Sequence, residues 1–101
     1  MSFSASAQNF WLEGGHILVA NVADRDGNWV ESRIDLNDFI GNEDGWFMWD
    51  GVNFAESAND IRLEGSLLTA ELPMRDGGYR ERQGIELNDR ISNNDGQLVF
   101  N

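Results

Sequence analysis

Ile34-Asp-Leu-Asn-Asp-Phe-Ile-Gly-Asn-Glu-Asp-Gly45 returns 51 residues later as Ile85-Glu-Leu-Asn-Asp-Arg-Ile-Ser-Asn-Asn-Asp-Gly96. Ile, Leu, Asn-Asp, Ile, Asn and Asp-Gly recur in register, and an internal repeat dictates the architecture before any local reading does. Outward from this stretch, Phe3-x-x-Ser6-Ala7 matches Phe54-x-x-Ser57-Ala58, and Leu12-Glu13-Gly14 matches Leu63-Glu64-Gly65. Arg25-Asp26-Gly27 matches Arg75-Asp76-Gly77. Two slips, an extra Gly15 in the first copy and an extra residue near Gln83-Gly84 in the second, keep the rest aligned. The reading is one domain, 1–101, built of tandem repeats 3–53 and 54–101. A unit of about fifty residues is marginal alone, so the two copies are expected to share a core.

Apolar residues make up 41% of the chain, with six Phe, four Trp and one Tyr among them, enough for a packed core rather than a disordered chain. The formal charge is −11. Such a chain repels phosphate backbones and anionic lipid, so neither nucleic acid nor a membrane is expected as a partner. There is no cysteine, hence no disulfide, thiolate ligand or thiol nucleophile. No apolar run approaches bilayer-spanning length, no secretory signal pattern opens the chain, and a cytoplasmic location is expected.

Positions apolar in both copies mark the core. Leu18, Ala20 and Val22 match Leu68, Ala70 and Leu72, while Val19 and Asn21 match Thr69 and Glu71. This period-two alternation predicts a half-buried strand with the Leu18 phase inward. The same test places Phe47/Leu98 and Trp49/Phe100 inside and turns Trp46, aligned with Gln97, outward. Asp26-Gly27, Asp44-Gly45, Asp76-Gly77 and Asp95-Gly96 sit between strand-like runs and predict hairpin turns, because Asp-Gly tolerates positive φ. Trp29 to Arg33 reads as a returning strand. Ile34 to Ile40 fits a short helical turn capped by Asp35 or Asn37. Ser4 to Phe10 and Ala55 to Ile61 are read as further turns, giving about five short elements per repeat. Pro73 should end its strand or mark an edge.

Catalytic chemistry is poorly supplied. The lone histidine, His16, lies beside Gly14-Gly15 without an evident orienting partner and reads as solvated. No nucleophile elbow, P-loop or HExxH occurs. Asp24-Arg-Asp26-Gly-Asn28 opens like a calcium loop, but Trp29 stands where glycine is required and Asp35 where glutamate closes the site. No metal or cofactor is expected. What remains are Asn42-x-Asp44 and Asn93-x-Asp95 before turn glycines, with Asn53, Glu56, Ser57 and Arg75. Amide, carboxylate, hydroxyl and guanidinium groups together match the donors and acceptors of a vicinal diol. Turn residues capping their own backbones account for Asn42 and Asp44 equally well.

The repeated Ile-Asp-Leu-Asn…Ile-x-Asn-x-Asp-Gly pattern, with Phe3, Trp29, Trp49, Asn53-Phe54, Leu63, Gly65 and Tyr79, resembles the cyanovirin-N homology family of small mannose-binding lectins over nearly the whole chain. That resemblance implies an all-β, bilobal, pseudo-symmetric domain of triple-stranded sheets, hairpins and short 3₁₀ turns, each lobe completed by strands of the other repeat. It also implies one sugar site per lobe for terminal α1-2-linked mannose. Carried over, the preferred site is Asn42, Asp44, Asn53, Glu56, Ser57 and Arg75, although Val52, Pro73, Met74 and Gly77 replace usual polar groups. The second is Ser6, Arg25, Asp26, Asn93 and Asp95, where Ala5 and Ala23 replace polar partners, so it is expected to be weaker or silent.

Founder-type members have two disulfides where this chain has Ala7 with Val22 and Ala58 with Leu72. Gly51 stands where a proline is usual in the connection between repeats. A monomer is expected, with a domain-swapped dimer as the alternative. The functional expectation is a non-catalytic lectin recognising mannose-rich glycans mainly through one site. The alternative is a protein-interaction module that has lost sugar binding, with Trp11 and Trp46 as aromatic anchors; an acid-rich glycosidase is the third reading.

Overall fold

Asp35 decides how the first repeat turns its corner. Its side chain accepts from the Asn37 N–H at 3.0 Å and caps a single 3₁₀ turn, Leu36–Asp38. Glu86 does the same for Leu87–Asp89, accepting from Asn88 N–H at 3.3 Å. The caps satisfy donors that a short turn leaves open, and Leu36 and Leu87 drop into the core as fully buried anchors. These turns join strands that alternate with the sequence, so each repeat has the same element order.

The computed structural model describes residues 2–101. After a 3₁₀ turn at Phe3–Ser6 come β1 (Ala7–Glu13), β2 (Ile17–Ala23), β3 (Trp29–Asp35), β4 (Ile40–Glu43) and β5 (Trp46–Trp49). After a 3₁₀ turn at Phe54–Glu56 come β6 (Asn59–Glu64), β7 (Leu67–Glu71), β8 (Gln83–Glu86), β9 (Ile91–Asn94) and β10 (Gln97–Phe100). β1-β2-β3 and β6-β7-β8 are antiparallel three-stranded sheets, while β4-β5 and β9-β10 are hairpins. β10 lies against β3, where Leu98 N–H donates to Ser32 Oγ at 2.9 Å, and β5 lies against β8. Each repeat's hairpin therefore completes the other repeat's sheet, in a body of 51 × 21 × 18 Å.

The core is built from like positions of both copies: Phe3 and Phe54, Leu18 and Leu68, Ile40 and Ile91 are all fully buried. Each such side chain contributes about 1.5–3 kcal/mol when removed from water. Ala7 pairs with Val22 across β1 and β2, so a small apolar contact occupies that position. Phe39 stacks on Phe100 at 4.5 Å between centroids, closing the seam between the repeats.

Four expectations need correction. The turns at the start of each repeat end at Ser6 and Glu56, because Phe10, Leu12, Ile61 and Leu63 alternate as strand residues packed on the core. Each repeat thus has five strands and two 3₁₀ turns rather than five elements. Val19 and Thr69, assigned to the outer face, are buried. Val19 lies between Trp11 and Arg33 in register, and Thr69 Oγ1 donates to Glu64 and accepts from Arg82. Long polar side chains cover both central positions with their stems. Finally, of the four Asp-Gly pairs only Asp44-Gly45 and Asp95-Gly96 form two-residue turns, with both residues at positive φ. Asp26-Gly27 lies in a longer loop in which Asp24 Oδ1 accepts from the N–H groups of Asp26 and Asn28. As the sequence suggests, the Leu67–Glu71 strand stops before Pro73.

Gly51 has a steric role. A Cβ there would lie 2.8 Å from Gly41 Cα, so the connection between repeats packs backbone on backbone. Asp50 N–H to Phe39 O (2.9 Å) and Asn53 N–H to Asn37 O (2.8 Å) tie it down on either side.

Candidate functional site

The β4-β5 turn is held by its first polar residue. Asn42 Oδ1 accepts from Gly45 N–H at 2.8 Å, and its Nδ2 donates to Pro73 O at 2.9 Å. Asp44 Oδ1 accepts from Arg75 N–H at 2.9 Å. A turn of the first repeat is thereby fastened to the β7-β8 loop of the second. The Arg75 guanidinium pairs with Glu43 while remaining largely exposed, so the pair itself adds little stability. Asn42, Glu43, Asp44, Pro73, Met74 and Arg75 line an open depression of about 390 Å³.

The Asp95 turn repeats this construction. Asn93 Oδ1 accepts from Gly96 N–H at 2.8 Å, and Nδ2 donates to Ala23 O at 2.8 Å and Ser6 Oγ at 2.9 Å. Asp95 Oδ1 accepts from Arg25 N–H at 2.8 Å, and the Arg25 guanidinium stands 3.9 Å from its other oxygen. Asp26 is exposed in the same loop. Both Asn-x-Asp-Gly motifs are therefore structural stitches first. Beside each turn stands a largely exposed guanidinium, that of Arg75 or of Arg25.

The structure brings Asn42, Asp44 and Arg75 together directly. Asn53 is an exposed left-handed residue (φ 63°) that starts the Phe54–Glu56 turn, and Glu56 and Ser57 are exposed at that turn's end. Ser57 connects through its carbonyl, which accepts from Tyr79 Oη at 3.3 Å, and Tyr79 pairs with Pro73. At the other turn Ser6, Arg25, Asn93 and Asp95 are joined by hydrogen bonds, whereas Asp26 bonds only within its own loop.

Sequence reasoning did not include Glu43 or Arg80. Arg80 Nη2 donates to Asp44 O at 3.0 Å, and its guanidinium lies 4.0 Å from the Trp46 ring centroid. No local signal announces a partner 36 residues away.

His16 is not simply solvated: its Nδ1 lies 2.7 Å from Asp35 Oδ1, the oxygen that caps Asn37, and the second repeat uses Ser66 and Glu86 in that place. The resolved pKa shifts lie away from both turns. Arg33, aided by Trp11, holds the Glu13 carboxyl below its usual range. Arg62 and then Arg82 do the same for Asp60, at 2.7 and 2.5 Å.

The profile of the CVNH domain matches residues 3–99. The chain belongs to the CVNH family. A Cyanovirin-N homolog of Tuber borchii is 48% identical over 99% of both chains. A designed Cyanovirin-N homolog lectin is 40% identical, with complete coverage of both chains and a TM-score of 0.91. The structure of a microvirin–mannobiose complex matches at 33% identity and TM-score 0.86, covering 99% of this chain and 98% of that one. CVNH proteins are carbohydrate-binding lectins, generally without catalytic activity, and this cysteine-free chain has their all-β fold.

Proposed function

We propose that this CVNH chain is a monomeric, non-catalytic lectin for mannose-rich glycans. It takes terminal α1-2-linked mannose mainly through Asn42, Asp44, Asn53, Glu56, Ser57 and Arg75. The observation that supports it best is the open depression beside the β4-β5 turn, where the Arg75 N–H fixes the Asp44 carboxylate, the Pro73 carbonyl fixes the Asn42 amide, and the Arg75 guanidinium stands exposed beside them. Preorganised donors and acceptors avoid the ordering cost of binding. The mannobiose complex of the related microvirin indicates the class of ligand. Ser6, Arg25, Asp26, Asn93 and Asp95 form the weaker second site, since the Ser6 hydroxyl already serves Asn93.

Calorimetric titration with α1-2 mannobiose tests this. About one site per chain is expected, weakened roughly tenfold or more by Arg75→Ala, because a charge-assisted hydrogen bond is lost. No heat at millimolar sugar would refute it.

A protein-interaction reading draws on Trp46, which is 50% exposed. Trp11 supports it less, being half-buried with its indole N–H donating to Glu13 at 3.3 Å. A partner lost on replacing both tryptophans by alanine, with mannobiose binding unchanged, would favour that reading.

A further inference from the structure

Beside the Asn42–Arg75 depression, and sharing Met74 with it, lies a second hollow of about 370 Å³ lined by Trp46, Tyr79, Arg80, Glu81 and Gln83. Trp46 and Tyr79 are 50% and 47% exposed, so two aromatic faces stand open beside a polar cradle. The indole is held in place: Arg80 lies over one face at 4.0 Å while its Nη2 donates to Asp44 O. The Arg80 Nε–H is buried without a hydrogen-bond partner, a donor left open next to the turn. Gly45 keeps the two hollows close, since a Cβ there would lie 2.8–2.9 Å from Arg80 and Met74 atoms.

We propose that this hollow is a subsite for the third pyranose of an oligosaccharide whose terminal α1-2 mannobiose unit occupies the Asp44 cradle; the proposal rests on the sugar-binding reading above. A pyranose has an apolar face of C–H groups and a rim of hydroxyls. The first suits the open face of an aromatic ring with its negative quadrupole. The second suits a few polar groups around an apolar floor, here Arg80, Glu81 and Gln83. Nothing in the fold requires an indole at this position, because the matching residue of the other hairpin is Gln97. The Asp95 turn also has Val30 beside Gly96, where the Asp44 turn has Arg80 beside Gly45. The platform thus belongs to one lobe, the one that holds the preferred site.

The test compares α1-2 mannobiose with α1-2 mannotriose by calorimetry on the intact protein, Trp46→Ala and Trp46→Phe. The trisaccharide should bind the intact protein about three- to tenfold more tightly, the range of a single aromatic contact. Trp46→Ala should remove most of that advantage and Trp46→Phe should retain it. The Trp46 indole N–H resonance should move with mannotriose more than with mannobiose. A trisaccharide that binds no tighter than the disaccharide, or an equal loss for both sugars in Trp46→Ala, would overturn the subsite and leave the lectin reading standing. Absence of mannobiose binding would overturn both. Loss of a protein partner in Trp46→Ala, with the mannotriose advantage intact, would reassign the hollow to protein docking.

Discussion

The Asp44 and Asp95 turns are the same device placed in different surroundings. Both are Asp-Gly turns with φ near 52° and 87–89°, both are capped by an asparagine, and both are fastened to a loop of the other repeat through an arginine N–H. They differ in what stands beside them. The Asp44 turn has Arg80, Met74 and an exposed Trp46, whereas the Asp95 turn has Val30, Asp24 and Gln97. The shared part holds the two repeats together and so tolerates little change. The neighbouring residues are free to differ, and the difference in recognition between the two lobes is expected to reside there.

The largest effect should come from Gly45→Ala. A left-handed alanine costs about 1–2 kcal/mol, and overpacking against Arg80 and Met74 adds about 1–3 kcal/mol. Gly96→Ala meets its neighbours only at 3.3–3.4 Å, so it should show mainly the first cost. Urea denaturation of the two variants measures the difference, and equal losses would mean that Arg80 moves aside freely. Next come the asparagines. Asn42→Ala strands Gly45 N–H and Pro73 O, while Asn93→Ala strands Gly96 N–H and Ala23 O and also frees Ser6. Each should lose about 1–3 kcal/mol, with Asn93→Ala the worse in thermal unfolding.

The symmetric part of this design is legible in the sequence. The repeat reveals the core positions Leu18/Leu68 and Phe3/Phe54, Asp35 predicts its own cap, and Asp44-Gly45 predicts a tight hairpin; all of these depend on residues within a few positions. What escapes is whatever depends on distant side chains. Val19 and Thr69 look half-exposed by alternation, yet neighbouring strands lay arginine, tryptophan and glutamate side chains over them. Arg80 is an ordinary charged residue until the fold sets it on Trp46 and Asp44. The candidate site residues were found through resemblance more than through physics, because asparagine and aspartate before a glycine serve a turn as readily as a ligand.

Two smaller effects sharpen the comparison. Arg75→Ala and Arg25→Ala should each change stability by less than about 0.5 kcal/mol, since both guanidinium groups are largely exposed and the stitch uses the backbone N–H. They should differ in sugar affinity, with Arg75→Ala the more damaging. Smallest is the response to acid. Glu13 and Asp60 have folded-state pKa values below their ordinary 4.5 and 3.8. Their ion pairs therefore stabilise the fold above the ordinary carboxylate range, and that contribution is lost as pH falls through the depressed values. A Glu13→Gln, Asp60→Asn double variant should show a flatter melting-temperature profile between about pH 5 and 3.

The most direct measurement is a backbone-amide NMR titration with α1-2 mannobiose, because it reads both turns in one experiment. Shifts are expected at Asn42 to Gly45, Asn53 to Ser57 and Arg75 at sugar concentrations that leave Ser6, Asp26 and Asn93 unmoved. Shifts that begin at Asn93 and Asp95, or rise in parallel at both turns, would contradict a preferred site at the Asp44 turn.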